Sequence, residues 1–329
     1  MISLTAPRIS ANGVHRAPEV SGCTTRIRPP TGWQLVNVRE LWQYRELLYF
    51  LAWRDVKVRY KQTALGAAWA ILQPLLMMVV FSIFFGRLAH VDSGDVPYPL
   101  FAFAGLLPWT FFATSIAKSG NSVVGSERLI TKIYFPRLAI PFAGVVASLV
   151  DFFVACAMLA VLMVWYQAPP SWNLALLPGL IVLFTLAAMG VGALLAALNV
   201  AYRDFRYVIP FLVQLWMFAT PSVYMRTDVD AKQRVQGSEF SVQQSVDGAQ
   251  TGSASNVEHP KAKIQHPSLL RVLLSLNPIT GLVASFRAAV LGGPVPWSAL
   301  AASASGAVLL FAAGCLYFRC VEDSFADII

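Results

Sequence analysis

The chain is 329 residues long, with 57% hydrophobic and 13% charged side chains. A soluble domain carries about twice that charged fraction, so the composition excludes an ordinary water-soluble globule. The net charge of +8 does not point to nucleic acid, because the basic residues crowd beside apolar runs rather than along one hydrophilic face.

Residues 1–39 are rich in Pro, Arg, Ser and Thr and lack the apolar run of a secretory signal, so they read as a disordered cytosolic tail. Residues 40–62 predict an amphipathic helix on the membrane surface. Trp42, Tyr49, Trp53, Val56 and Tyr60 recur at helical spacing, and Arg54, Lys57 and Lys61 share another face. Two roles stay open for this helix: anchoring to anionic lipid, or handling a charged substrate head through Arg54, Lys57, Arg59 and Lys61. From Lys61 to Arg87 no charge occurs. A cationic patch running into an apolar segment of about 20 residues suits a helix entering a bilayer from the cytosol.

The first span is expected at about 64–86, with a kink at Gln73 and Pro74. A loop with Asp92 and Asp95 but no cation leads to a second span at 98–116. A basic polar loop follows, with Lys118, Arg128, Lys132 and Arg137. The third span, 138–166, is interrupted only by Asp151, and the fourth covers about 174–201. Arg203, Asp204 and Arg206 form a charged turn before a fifth span at 208–225. Residues 226–267 are polar and too long for an ordinary connector. Residues 268–276 and 279–291 are apolar but too short to cross, which fits a re-entrant or interfacial hairpin. A sixth span at 297–318 precedes a short tail. Lys and Arg gather before span one, between spans two and three, between four and five, and after six. The excess of cations on cytosolic loops then puts both termini in the cytosol and 226–296 outside. The fold class is an all-α integral membrane protein.

Gly120 and Gly125 have the outer spacing of a phosphate-binding loop, but Ser126 and Glu127 stand where Lys and Ser/Thr are needed, so ATP is not bound in that way. The four histidines share no metal spacing, and Cys23, Cys156, Cys315 and Cys320 form no CxxC pair. No GxSxG elbow occurs. Neither a metal site nor a catalytic set is expected. A charge within a span is expensive unless paired or wetted. Asp151 therefore reads either as a polar group facing a translocation path or as a protonated or hydrogen-bonded packing residue. The spans are rich in aromatics, which suit lipid contact, helix packing or a pore in which ring faces stack on sugars. Phe101, Trp109, Phe112 and Trp216, with Asp151, are the expected channel-lining set. Ala188, Gly192 and Ala196 form a ridge of small residues suited to close helix packing.

The run Trp53-Arg54-Asp55-Val56-Lys57-Val58-Arg59-Tyr60-Lys61, with Leu65-Gly66 and Trp69-Ala70-Ile71-Leu72-Gln73-Pro74, resembles the start of the permease subunit of bacterial ABC exporters for surface polysaccharides. Ile133-Tyr134-Phe135-Pro136-Arg137, then Asn199 with Tyr202-Arg203-Asp204-Phe205-Arg206-Tyr207, and Leu276-Asn277-Pro278-Ile279-Thr280-Gly281 extend the likeness over most of 40–319 in order. That family handles O-antigen, capsule and teichoic-acid polymers. The resemblance implies a homodimer of six-span subunits in the bacterial inner membrane. It also implies a separate cytosolic ATPase pair that holds ATP and Mg, with no cofactor on this chain.

By the same resemblance, 121–134 would be a coupling helix for the ATPase, with Asn121, Glu127, Arg128, Lys132 and Tyr134 as contacts. Arg54, Lys57 and Arg59 would meet the pyrophosphate of a lipid-linked glycan. Asn277, Pro278, Phe286 and Arg287 would belong to helices closing the outer mouth. The segment 226–267 departs from the family pattern and looks inserted. The alternatives to polysaccharide export are a permease for a small lipid or drug, and a membrane-embedded glycosyl- or acyltransferase.

Overall fold

The computed structural model describes residues 42–61, 66–88, 96–130, 135–169, 171–220, 277–322 and 325. These residues are helical or lie in short connections, with no strand among them. The tail 1–39, Asp92, Asp95, Lys132, Tyr134 and the polar stretch 226–267 lie outside the described residues. In chain order the helices are α1 (Arg45–Lys61), α2 (Gly66–Phe81), α3 (Tyr98–Ser122), α4 (Glu127–Ile130), α5 (Ala139–Trp165), α6 (Leu177–Ala201), α7 (Phe205–Phe218), α8 (Pro278–Leu291) and α9 (Trp297–Val321). A π-helical turn, Ser82–Leu88, extends α2, and a 3-10 turn, Trp172–Leu176, leads into α6. Among the described residues, five stretches are long and apolar enough to cross a membrane: Ile71–Leu88, Tyr98–Ser122, Ala139–Trp165, Trp172–Ala201 and Trp297–Val321. They match the expected first, second, third, fourth and sixth spans. The expected fifth begins as α7, of 14 residues, and residues 221–276 lie outside the described residues.

The core forms around α3. Its side chains are buried on nearly every side, and it packs against α2, α5, α6, α7 and α8. Pro108 sits inside it and Pro74 inside α2, so both helices continue past a residue that cannot donate a backbone hydrogen bond. The ridge of Ala188, Gly192 and Ala196 is buried. At Gly192 an added Cβ would lie 2.3 Å from Ser119 Oγ on α3. Elsewhere on α6, Gly190 meets α9, where a Cβ on Gly314 would fall 1.9 Å from the Gly190 carbonyl oxygen. Small residues thus let α6 approach two neighbours at backbone distance, as bilayer helices do when no hydrophobic effect drives them together.

α8 is a short helix inside the bundle. At 14 residues it spans about 21 Å, short of the ~30 Å hydrocarbon layer. Ile279, Leu282, Val283, Phe286, Ala289 and Val290 are nevertheless buried. Asn277 caps its start by accepting from the Ile279 N–H. Gly292 ends it in the left-handed region at φ 73°, which a side chain would disfavour. The connection after α8 is tied to the start of α6, since Asn173 Nδ2 donates to the Gly293 carbonyl at 3.0 Å. At the opposite end, Arg137 donates to the Glu322 carbonyl, Arg319 pairs with Glu322 at 2.8 Å, and Phe318 packs on Phe325.

By contrast, α2 and its π-helical extension bury almost nothing. Trp69, Leu76, Val79, Val80, Ile83, Phe84 and Leu88 are exposed, as are Phe211, Leu215 and Phe218 of α7. These faces need hydrocarbon or another protein surface. Gly314→Val is expected to cost about 1–3 kcal/mol or more by forcing α6 and α9 apart. Gly125→Ala, which meets nothing within 4 Å, is expected to be near neutral. Thermal unfolding of the purified protein in detergent checks both.

Candidate functional site

Between Arg137 and Arg203 the sequence carries one charged residue, Asp151. The geometry around it explains how the charge is tolerated there. α1 packs chiefly on α5. Leu51 and Ala52 of α1 join the apolar cluster of Ala139, Phe142 and Ala143. Two turns further along both helices, Arg59 and Tyr60 meet Asp151. Arg59 Nη1 donates to Oδ2 of Asp151, the Tyr60 hydroxyl donates to Oδ1, and Lys118 Nζ of α3 donates to Oδ2 at 3.2 Å. Neighbouring residues on a helix point about 100° apart, which lets Arg59 and Tyr60 take one carboxylate oxygen each.

Arg59 and Lys118 therefore share one carboxylate. The set is half-buried: the side chains of Arg59, Lys118 and Asp151 are 39%, 25% and 22% exposed. Partial burial pulls the Arg59 guanidinium below its ordinary value, but a guanidinium starts so high that it keeps its proton. Of the two sequence readings of Asp151, the hydrogen-bonded packing residue is nearer to the geometry, since Arg59, Tyr60 and Lys118 all donate to its carboxylate.

The four cations expected to act together on α1 are divided. Arg54 bonds its own neighbour Asp55, at 3.1 and 3.0 Å. Lys57 and Lys61 are exposed and form no ion pair among the described residues. Arg59 alone of the four turns to α5. The expected stripe is divided too: Val56 and Tyr60 are partly buried, while Trp42, Tyr49 and Trp53 remain exposed, a placement that suits indole and phenol rings at lipid headgroups.

A second polar knot closes the end of the bundle where α3 stops. Asn199 Nδ2 on α6 donates to the Gly120 carbonyl at 2.9 Å and to Asn121 Oδ1 at 3.2 Å, and Asn121 Nδ2 donates to the Ala117 carbonyl. The chain then runs through a 3-10 turn, Val124–Ser126, into α4. Val123, Ser126 and Ile130 face inward, while Gly125, Glu127 and Arg128 are exposed. Of the expected coupling residues, Glu127 and Arg128 are thus presented outward and Asn121 is occupied as a brace. Asn199 had no role assigned from sequence, because nothing local reveals a partner 79 residues away.

The expected channel-lining aromatics are packed inside the chain's own helix bundle. Phe101, Trp109 and Phe112 are buried, and Trp216 is partly so. Phe112 meets Trp216 edge-on at 5.2 Å. The Arg287 guanidinium of α8 lies 3.8 Å above the Phe101 ring, a cation–π contact that helps a buried cation. Phe286 packs against Phe152. Asn277 is the junction of this region. Its Oδ1 accepts from Trp216 Nε1 at 3.0 Å and from the Ile279 N–H at 3.1 Å, while Nδ2 donates to Thr220 Oγ1 at 2.8 Å and to the Ala219 carbonyl at 3.2 Å. The end of α7 and the start of α8 are joined by this one side chain. Four of the expected channel residues are therefore interior contacts in this conformation, held by packing of α5, α7 and α8 around α3.

Comparison with known proteins gives the family and several relatives. The ABC-2 type transporter family matches residues 46–236. The O-antigen export system permease protein RfbA of Myxococcus xanthus is 31% identical over 295 residues, covering 89% of this chain and 98% of that protein. A Klebsiella pneumoniae protein of the same name is 30% identical over 183 residues, covering 54% of this chain and 69% of its own length. The polysialic acid transport protein KpsM of Escherichia coli is 24% identical over 169 residues, or 49% of this chain and 63% of that one.

Asn277→Ala removes a helix cap and three further side-chain bonds. It is expected to cost about 2 kcal/mol and to lower the unfolding midpoint in detergent. Asn277→Asp, which keeps the acceptor and loses the donors, is expected to fall between Ala and the parent.

Proposed function

Because the chain belongs to the ABC-2 type transporter family, we propose that it is the membrane-spanning permease subunit of an ATP-driven exporter for lipid-linked polysaccharide of the O-antigen or capsule type. The observation that carries this reading is the 31% identity to an O-antigen export permease along 98% of that protein. Such a chain transports rather than catalyses. It leaves ATP and Mg to a separate cytosolic ATPase pair, and it works as a homodimer in the inner membrane with both termini in the cytosol. The exposed apolar faces of α2 and α7 support a second copy as the missing neighbour, since the protomer by itself leaves them unpacked. In this reading the path lies between protomers, and the interior aromatics hold the helices that border it.

Force enters at the outward-facing Glu127 and Arg128. The segment before α4 is buried through Val123 and Ser126 and braced by Asn121 to Asn199. A push on α4 therefore reaches α3 and α6 together, which a free loop would not transmit. Residues 277–291 close the outer side, and movement of α8 is transmitted to α7 through Asn277. Arg54, Lys57 and Lys61 face out from α1 toward headgroups and anionic substrate. The insertion 226–267 is a periplasmic excursion outside this machinery.

Deletion of the gene is expected to remove polymer from the cell surface while lipid-linked glycan accumulates inside, as measured by comparing intact with lysed cells. Normal surface polymer would return the substrate to a small lipid or drug, and absence of polymer everywhere would indicate a synthetic role. Glu127→Arg combined with Arg128→Glu is expected to reduce export at least about tenfold and to release the ATPase during copurification, with the permease itself still folded.

A further inference from the structure

α4 has only four residues, far below the length at which a helix holds itself in isolation. Glu127 and Arg128 are exposed on it, and Ile130 is its buried residue. What lies behind Ile130 therefore sets where α4 sits. The apolar cluster that contains Ile130 draws on distant parts of the chain. Phe135 and Leu138 come from the approach to α5, Leu51 from α1, and Phe318 and Phe325 from the end of α9 and just beyond it. Phe325 is fully buried and meets Phe318 edge-on at 5.2 Å. Polar ties fix the same place, since Arg137 donates to the Glu322 carbonyl and Arg319 pairs with the Glu322 carboxylate at 2.8 Å. The stretch between α3 and α5 is thus held at its start by Asn121 on Asn199 and at its end by Arg137 on Glu322.

The helix behind this seat reaches the other end of the bundle. α9 has 25 residues, about 37 Å of helix, and its first half lies on α8 at backbone distance. A Cβ on Gly281 would fall 2.6 Å from the Ala299 carbonyl oxygen, and one on Gly306 would fall 2.9 Å from Pro278 Cβ. Packing this close transmits strain instead of absorbing it. We propose that Phe325, with Glu322, is the seat against which α4 works, so that a push on α4 moves α9 and, through it, α8. The proposal rests on the reading that Glu127 and Arg128 face the ATPase. Phe325 is a positioning residue: it stands behind α4, on the side away from Glu127 and Arg128. Without it, a push on so short a helix would be taken up locally and would not arrive at the foot of α9.

The test coexpresses the full chain with its ATPase and compares the parent with Phe325→Ala, Phe325→Leu and Arg137→Met. Surface polymer is measured on intact cells, ATP hydrolysis and bound ATPase on the purified complex, and the unfolding midpoint in detergent. Phe325→Ala is expected to leave the ATPase bound and its hydrolysis within about twofold of the parent, while surface polymer falls about fivefold. Phe325→Leu refills most of the site and is expected to recover most of the export. Arg137→Met keeps an apolar stem and loses the donor, and is expected to lower export about threefold with hydrolysis retained. Export, hydrolysis and ATPase binding that all fall together, in step with the unfolding midpoint, overturn the seat and leave Phe325 as core packing. Parental export in a folded Phe325→Ala protein overturns it as well, and if that protein does not fold, parental export in Arg137→Met does so. The charge-reversed pair Glu127→Arg with Arg128→Glu separates the two readings. If it keeps the ATPase and exports normally, the ATPase-facing reading fails. If it releases the ATPase while Phe325→Ala exports normally, the seat alone fails.

Discussion

Hydrocarbon offers no hydrogen bonds, so each polar group carried into a span must find its partner within the protein. Three of the described polar side chains tie one helix to another. Asp151 fastens α1 and α3 to α5. Asn199 fastens α6 to the end of α3. Asn277 fastens α7 to α8. Apolar packing between the same helices is interchangeable in kind, because lipid tails compete for it on nearly equal terms. The polar ties are not interchangeable, and they specify which helix meets which.

The protomer is uneven in a way that follows from its function. α3 is enclosed, and α6 comes within backbone distance of both α3 and α9. On the other side, α2 and α7 expose rows of large apolar side chains. A rigid half built on small-residue contacts and a loosely attached half built on one or two polar ties form a sensible division for a transporter. Arg59 and Tyr60 stand at the boundary between them.

Much of the fold was legible in the sequence because lipid solvation imposes long apolar runs, and those runs gave five stretches that the helices reproduce. The shortness of 279–291 and the Asn277-Pro278 and Gly292 signals were sufficient to expect α8, because caps and breakers are local chemistry. The partners of Asp151 were not legible. Arg59 is 92 residues away in sequence, and an apolar helix with one carboxylate does not state which neighbour will neutralise it. The surroundings of the aromatics were not legible for a related reason. A ring that faces a sugar and a ring that fills a helix interface have the same sequence signature, so Phe101, Trp109 and Phe112 could not be sorted before their neighbours were known. Counting the α1 cations as one group failed because helical rotation separates Arg59 from Arg54, Lys57 and Lys61.

The clasp between Thr220 and Asn277 joins positions 57 residues apart in the chain. Once two points are pinned in space, the contour length between them has little leverage on the rest. Doubling such a loop raises its closure entropy by only about 0.6 kcal/mol. The polar run 226–267 between them can therefore differ in length while α7 and α8 keep their register. Insertion there costs little because the two helices are fastened to each other and not by way of the chain that connects them.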